Sequence, residues 1–120
     1  MKPIPLQMLR QTVRLVVPTE VGIHQSVEAQ TDYTVRRVCL QRASSTARTK
    51  DNTTLTTTAT LFVDARLTQP RLDWWKLKEQ AEAAGAQMLV QHEGRDYTVV
   101  NVKPIMDDHA SLHHYEVELV

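Results

Sequence analysis

Apolar and polar side chains alternate with period two in several separate stretches. This commits the chain to strands with one buried face. In Thr12–Val17, Val13, Leu15 and Val17 share one face, and Thr12, Arg14 and Val16 the other. In Leu55–Val63, Leu55, Thr57, Ala59, Leu61 and Val63 line one side, while Thr56, Thr58 and Thr60 line the other with Phe62. In His113–Val120, His113, Tyr115, Val117 and Leu119 oppose His114, Glu116 and Glu118. Tyr33–Gln41 alternates with one slip: Tyr33 and Val35 have one parity, Val38 and Leu40 the other. One extra residue at Arg36–Arg37 restores a single apolar face, so a β-bulge is expected there. Threonine fits this pattern, because β-branched side chains suit a pleated surface. Of 14 threonines, five fall between Thr54 and Thr60.

Only one stretch has helical period. Trp74, Leu77, Ala81 and Ala84 form one stripe, Asp73 is placed to cap the first turn, and Gly85 is a stop. The helix is expected over about 73–84. Gln87–Gln91, the turn His92–Arg95 and Asp96–Val102 read as a hairpin that Pro104 ends. Residues 1–11 read as an extended leader, with Pro3 and Pro5 against helix. Pro18 is expected to end the first strand, Gly22 to mark a loop, and Gln25–Gln30 to form a weak strand or irregular connection. Residues 42–53 (RASSTARTKDNT) hold no large apolar residue and read as a long mobile hairpin loop. The expected fold is mainly β: a small antiparallel barrel or sandwich of about six or seven strands with one helix, residues 1–120 forming a single domain.

Composition narrows the function. Fourteen Lys/Arg balance fourteen Asp/Glu, which disfavours a generally cationic nucleic-acid binder. The zero is a cancellation: residues 1–50 carry eight basic and three acidic residues, residues 51–120 six and eleven. Either the halves interleave and the charges mix, or one face is basic and another acidic, which suits head-to-tail contacts between copies. Three glycines leave no glycine-rich phosphate loop. One cysteine, Cys39, leaves no internal disulfide and fits a reducing compartment. No apolar run approaches the ~20 residues of a membrane helix, and the prolines near the start argue against a signal peptide.

Candidate chemistry is sparse. Asp107, Asp108, His109, His113 and His114 cluster in sequence, but strand alternation from Tyr115 removes the helical spacing that would aim two histidines at one metal. Ser44, Ser45 and Ser111 lack a nucleophile-elbow context. Glu116 and Glu118 share a strand face with no inferred pocket. No enzyme activity, metal or cofactor is expected. The candidate interface or channel-facing residues are Arg36, Arg37, Arg42, Arg48, Lys50 and Trp75. The arginines and lysine either contact phosphates or form a solvated strand and loop. Trp74 belongs to the apolar stripe, whereas Trp75 lies half off it and suits a protein interface.

The stretch Glu93-Gly-Arg-Asp-Tyr-Thr-Val-Val-Asn-Val-Lys-Pro, with the closing Leu112-His-His-Tyr-Glu-Val-Glu-Leu-Val, resembles the minor capsid and head-completion proteins of tailed bacteriophages. Those proteins often carry a Gly-x-x-Tyr-x-Val-x-x-Val strand and a terminal His-x-Tyr-Glu-x-x-Leu strand. The opening Ile4-Pro-Leu-Gln-Met-Leu-Arg-Gln-Thr-Val is similar to theirs as well. The resemblance implies a small β-barrel at the portal vertex, made in the bacterial host cytoplasm and built into the neck of the virion. Implied partners are a portal or adaptor protein, tail proteins and sister copies in a ring, with transient DNA contact in the channel and no membrane. Head closure is the first expectation. A tail-completion or tail-terminator role is the second, and a small barrel binding single-stranded nucleic acid through Arg36, Arg37 and the 42–53 loop is the third.

Overall fold

A computed structural model describes residues 2–24, 26–42, 45–48 and 54–120. Six strands close a barrel: β1 (Gln11–Val21), β2 (Val27–Gln41), β5 (Ala59–Asp64), β6 (Leu89–His92), β7 (Arg95–Met106) and β8 (Leu112–Leu119). Their order around the barrel is β1-β2-β5-β8-β7-β6, and β6 returns to β1. All neighbouring pairs are antiparallel. The expected apolar faces turn inward where they lie in barrel strands. Val13, Leu15, Val17, Leu61, Val63, Val117 and Leu119 are buried in one core. At ~25 cal/mol per Å² of apolar surface, each fully buried aliphatic side chain contributes about 1.5–3 kcal/mol.

The expected bulge in β2 is present. Thr12 pairs with Arg36 and Gln11 with Val38, so Arg37 is the extra residue, at φ 60°. Val35 and Val38, of opposite parity, are thereby both fully buried. Gln11 Oε1 accepts from Leu40 N–H at 2.5 Å beside the irregularity.

Two prolines expected to end strands lie within them. β1 runs through Pro18 to Val21, and β7 through Pro104 to Met106. Pro18 pairs only with Gln30 of β2, because β6 meets β1 at residues 14–16 alone. Pro104 pairs only with Tyr115 of β8, because β6 meets β7 at residues 95–98 alone. Each proline thus sits where one side of its strand is an edge and a missing N–H removes no ladder bond. The doubtful segment 25–30 is strand from Val27, with two register shifts in its pairing to β1, at Pro18/Glu20 and Glu20/Val21, while Gln25 lies outside the described residues.

The segment Leu55–Val63, expected as one strand, breaks at Thr58. Thr54–Thr57 is β4, which pairs with β3 (Ser45–Arg48) in a separate two-stranded ribbon. The break falls where β8 ends: Thr58 N–H donates to Leu119 O at 2.8 Å, and the next register pair is Ala59 with Leu119. The 42–53 loop is therefore partly strand. Ser45–Arg48 carries polar but β-tolerant residues, and backbone pairing with β4 organises it without an apolar face. The remainder of that loop, 43–44 and 49–53, lies outside the described residues.

The short helix α1 spans Trp74–Ala83. Asp73 caps it, its Oδ1 accepting from Lys76 N–H at 3.1 Å. The far end is a Schellman turn: Gly85 N–H donates to Glu82 O and Ala86 N–H to Ala81 O, with Gly85 at φ +84°. α1 packs against β1 and β7, the two strands flanking β6, and inserts Trp74 and Ala81 into the core. The β6–β7 turn is Glu93-Gly94, both at positive φ, as a type I′ hairpin requires. The leader holds one 3₁₀ turn, Leu6–Met8, between its extended parts.

Candidate interaction surface

The described candidate residues fall on or beside three elements, β2, β3 and α1. Arg36 and Arg37 are exposed at the bulge of β2, and Arg42 is exposed just past its end. Arg48 closes β3, and Lys50 lies outside the described residues. At ~3.3 Å per residue, Arg36 and Arg42 stand about 20 Å apart along the chain. Arg36, Arg37 and Arg42 therefore follow β2 to its end, and Arg48 is the last residue of β3. Trp75 lies elsewhere, 48% exposed on α1, while Trp74 is fully buried.

The bulge is held by a polar knot that the alternation did not reveal. Asp64 and Thr68 are buried, at 2% and 1% exposure. Asp64 Oδ1 accepts from the N–H groups of Arg66 and Leu67, and Oδ2 from Ile4 N–H at 2.7 Å. Thr68 Oγ1 accepts from Asp64 N–H at 2.9 Å and donates to Arg37 O at 2.6 Å. Arg36 and Gln69 exchange backbone hydrogen bonds. The leader, the β5–α1 loop and the bulge are thus one unit. The Asp-x-x-x-Thr spacing was the only sequence signal, and it reads equally well as an exposed turn.

The residues weighed as a metal cluster do not converge. Asp107 Oδ1 accepts from His109 N–H and Ser111 N–H, which organises the loop and holds the carboxyl below the usual carboxylate range. Among the described residues no three His, Cys, Asp or Glu side chains meet at one point. His113 and His114 instead face each other, Nδ1 to Nδ1 at 2.7 Å. His114 Nε2 meets Glu116 Oε2 at 3.0 Å, and His113 Nε2 meets Lys2 O at 2.5 Å. This chain borders an apolar groove of about 460 Å³ between the leader and the outer wall, lined by Ile4, Pro5, Met8, Cys39 and Phe62.

Glu118 corrects another expectation. It belongs to the polar face of β8 but is only 4% exposed. Lys103 Nζ reaches its Oε1 at 2.6 Å, and Asn101 Nδ2 donates to the same oxygen at 3.4 Å. The hydrogen bond to Glu118 raises the Lys103 ammonium above its ordinary value.

The two halves of the chain do not interleave. β1 and β2 form one arc of the barrel, and β5, β8, β7 and β6 the other. The strands of the first arc nevertheless carry no net charge, Arg14, Arg36 and Arg37 balancing Glu20, Glu28 and Asp32, so the basic excess of residues 1–50 falls outside β1 and β2. No helix among the described residues is long and apolar enough to cross a membrane.

No curated protein sequence matches the chain. A family of minor capsid proteins matches it over residues 5–119, which spans the leader, the whole barrel, the ribbon and α1. By this match, which takes in a closed barrel and its two-stranded ribbon, the chain belongs to the minor capsid protein family.

Proposed function

We propose that the protein completes the head of a tailed bacteriophage, joining the portal or adaptor ring to the tail as one subunit of a ring. The observation that carries this reading is the ribbon. β3 and β4 pair with each other in a two-stranded ribbon separate from the barrel sheet, so among the described residues each has an outer edge with no ladder neighbour. Such edges add strands from a neighbour. A head-to-tail contact through such an edge makes a ring when it closes. Assembly through backbone edges requires no catalysis. Trp75, half exposed on α1, and the basic residues Arg36, Arg37, Arg42, Arg48 and Lys50 are the proposed contacts with neighbouring proteins or with DNA in transit.

Electron microscopy of virion necks, with antibody against this chain, tests the reading. Label at the head–tail junction is expected. Label confined to the capsid shell, or none on virions, removes it. Binding to purified tail tube but not to portal would move the protein one ring down, to tail completion. Strong retention on a single-stranded oligonucleotide at low salt, lost steeply as salt rises, would favour the nucleic-acid reading instead.

A further inference from the structure

The leader is held to the barrel partly through the two histidines, and counting protons gives that contact a condition. The Lys2 carbonyl oxygen and the Glu116 carboxylate oxygen only accept. Three short contacts, Glu116–His114, His114–His113 and His113–Lys2, therefore need three protons. Two neutral imidazoles carry two. Only when Glu116, His114 and His113 together hold one further proton are all three contacts hydrogen bonds, and the triad is then neutral. Without that proton, two acceptors face each other at one of the three junctions.

We propose that the Glu116–His114–His113 triad is a protonation-dependent latch that clasps residues 2–9 over the apolar groove when it holds the third proton and loosens them when it loses it. The charged and titratable groups packed around the pair are few. Glu116 lies on the same strand. Asp64 of β5 stands opposite His114, and Lys103 of β7 opposite Glu116. Cys39 of β2 and Lys2 of the leader complete the rim. Asp64 is engaged by three backbone N–H groups, and Lys103 by Glu118. Carboxylates and lysines ordinarily keep their charge between about pH 5.5 and 7.5, whereas histidine changes its own there. Release uncovers Phe62 and frees Leu6 and Met8, which are already half exposed. A pH change then alters how much apolar surface the outer wall offers to a neighbour.

Amide exchange of Ile4 in the full chain tests the latch. After correction for intrinsic rates, its protection is expected to fall about tenfold from pH 5.5 to 7.5, the scale of one charge-assisted hydrogen bond. His114→Phe is expected to abolish that pH dependence. Alkylation of Cys39 gives a second reading, taken as the ratio of variant to wild type at each pH. The ratio is expected well above one at pH 5.5 and near one at pH 7.5. Should His114→Phe fail to fold, ring nitrogen spectra of the wild type replace it: one proton taken up by the pair in step with the Ile4 amide supports the latch. Ile4 protection that ignores pH, an equal fall in His114→Phe, or rings that titrate while Ile4 stays unmoved overturns it.

Discussion

Arg37 holds a conformation that an L-residue with a Cβ resists, at roughly 1–2 kcal/mol. It does so because the bulge lets Val35 and Val38 both face the core. Arg37→Gly relieves the strain but loosens the unfolded chain, and a net gain of about 0.5 kcal/mol is expected in urea unfolding. Asp64 is the opposite case, a buried carboxylate whose acceptors are all used. Asp64→Ala orphans the N–H groups of Ile4, Arg66 and Leu67. A loss of about 3 kcal/mol is expected, read as a lowered denaturant midpoint. Lys103 adds a pH signature. Its folded value is raised, so its stabilising contribution is fully present below the ordinary lysine value and is lost as pH rises through the folded one. Half of the Lys103 side chain is exposed, so solvent screening keeps the contribution to about 1 kcal/mol or less. An alkaline fall in melting temperature that is smaller in Lys103→Met than in wild type checks it.

At the scale of elements, the ends matter more than the middles. α1 spans Trp74–Ala83, too few residues to persist alone, so its caps and the two side chains it buries define it. Tyr115 of β8 donates to Asp73 Oδ1 at 3.5 Å, which ties the capping residue to the barrel. Burial, and then the Asp73 charge, push the Tyr115 phenol up. Gly85 closes the helix at positive φ, and a methyl group there meets nothing within 4 Å. Gly85→Ala therefore isolates the backbone term. A loss of about 1 kcal/mol is expected by thermal unfolding, with Gly85→Asn losing less. Glu93 occupies the first left-handed position of the β6–β7 turn, where asparagine is favoured. Elements that end on local chemistry were legible: the Asp73 cap, the Gly85 stop and the Glu93-Gly94 turn all lie where the residues indicate. Strand ends were not, because Pro18 and Pro104 stop a strand only if both of its neighbours continue.

The whole molecule is a barrel whose shortest seam joins β1 to β6. β1 meets β2 through ten residue pairs but meets β6 through three. Native-state hydrogen exchange is expected to show the β1–β6 amides opening first, at a lower free energy than those between β1 and β2. Uniform protection around the barrel would contradict this. The molecule measures 46 × 30 × 28 Å and exposes 7,329 Å², more than the roughly 6,600 Å² of a compact chain of this mass. Alternation in the sequence determined which side chains face inward and where the bulge falls, because a strand's period is local and a slip in it shows at once. Only the tertiary structure decided that Asp64, Thr68 and Glu118 are buried, that two adjacent histidines meet the leader, and that the two halves of the chain form separate arcs. Those outcomes depend on which strands become neighbours, and hydrogen bonds between residues as much as 111 positions apart leave no periodic trace in the chain.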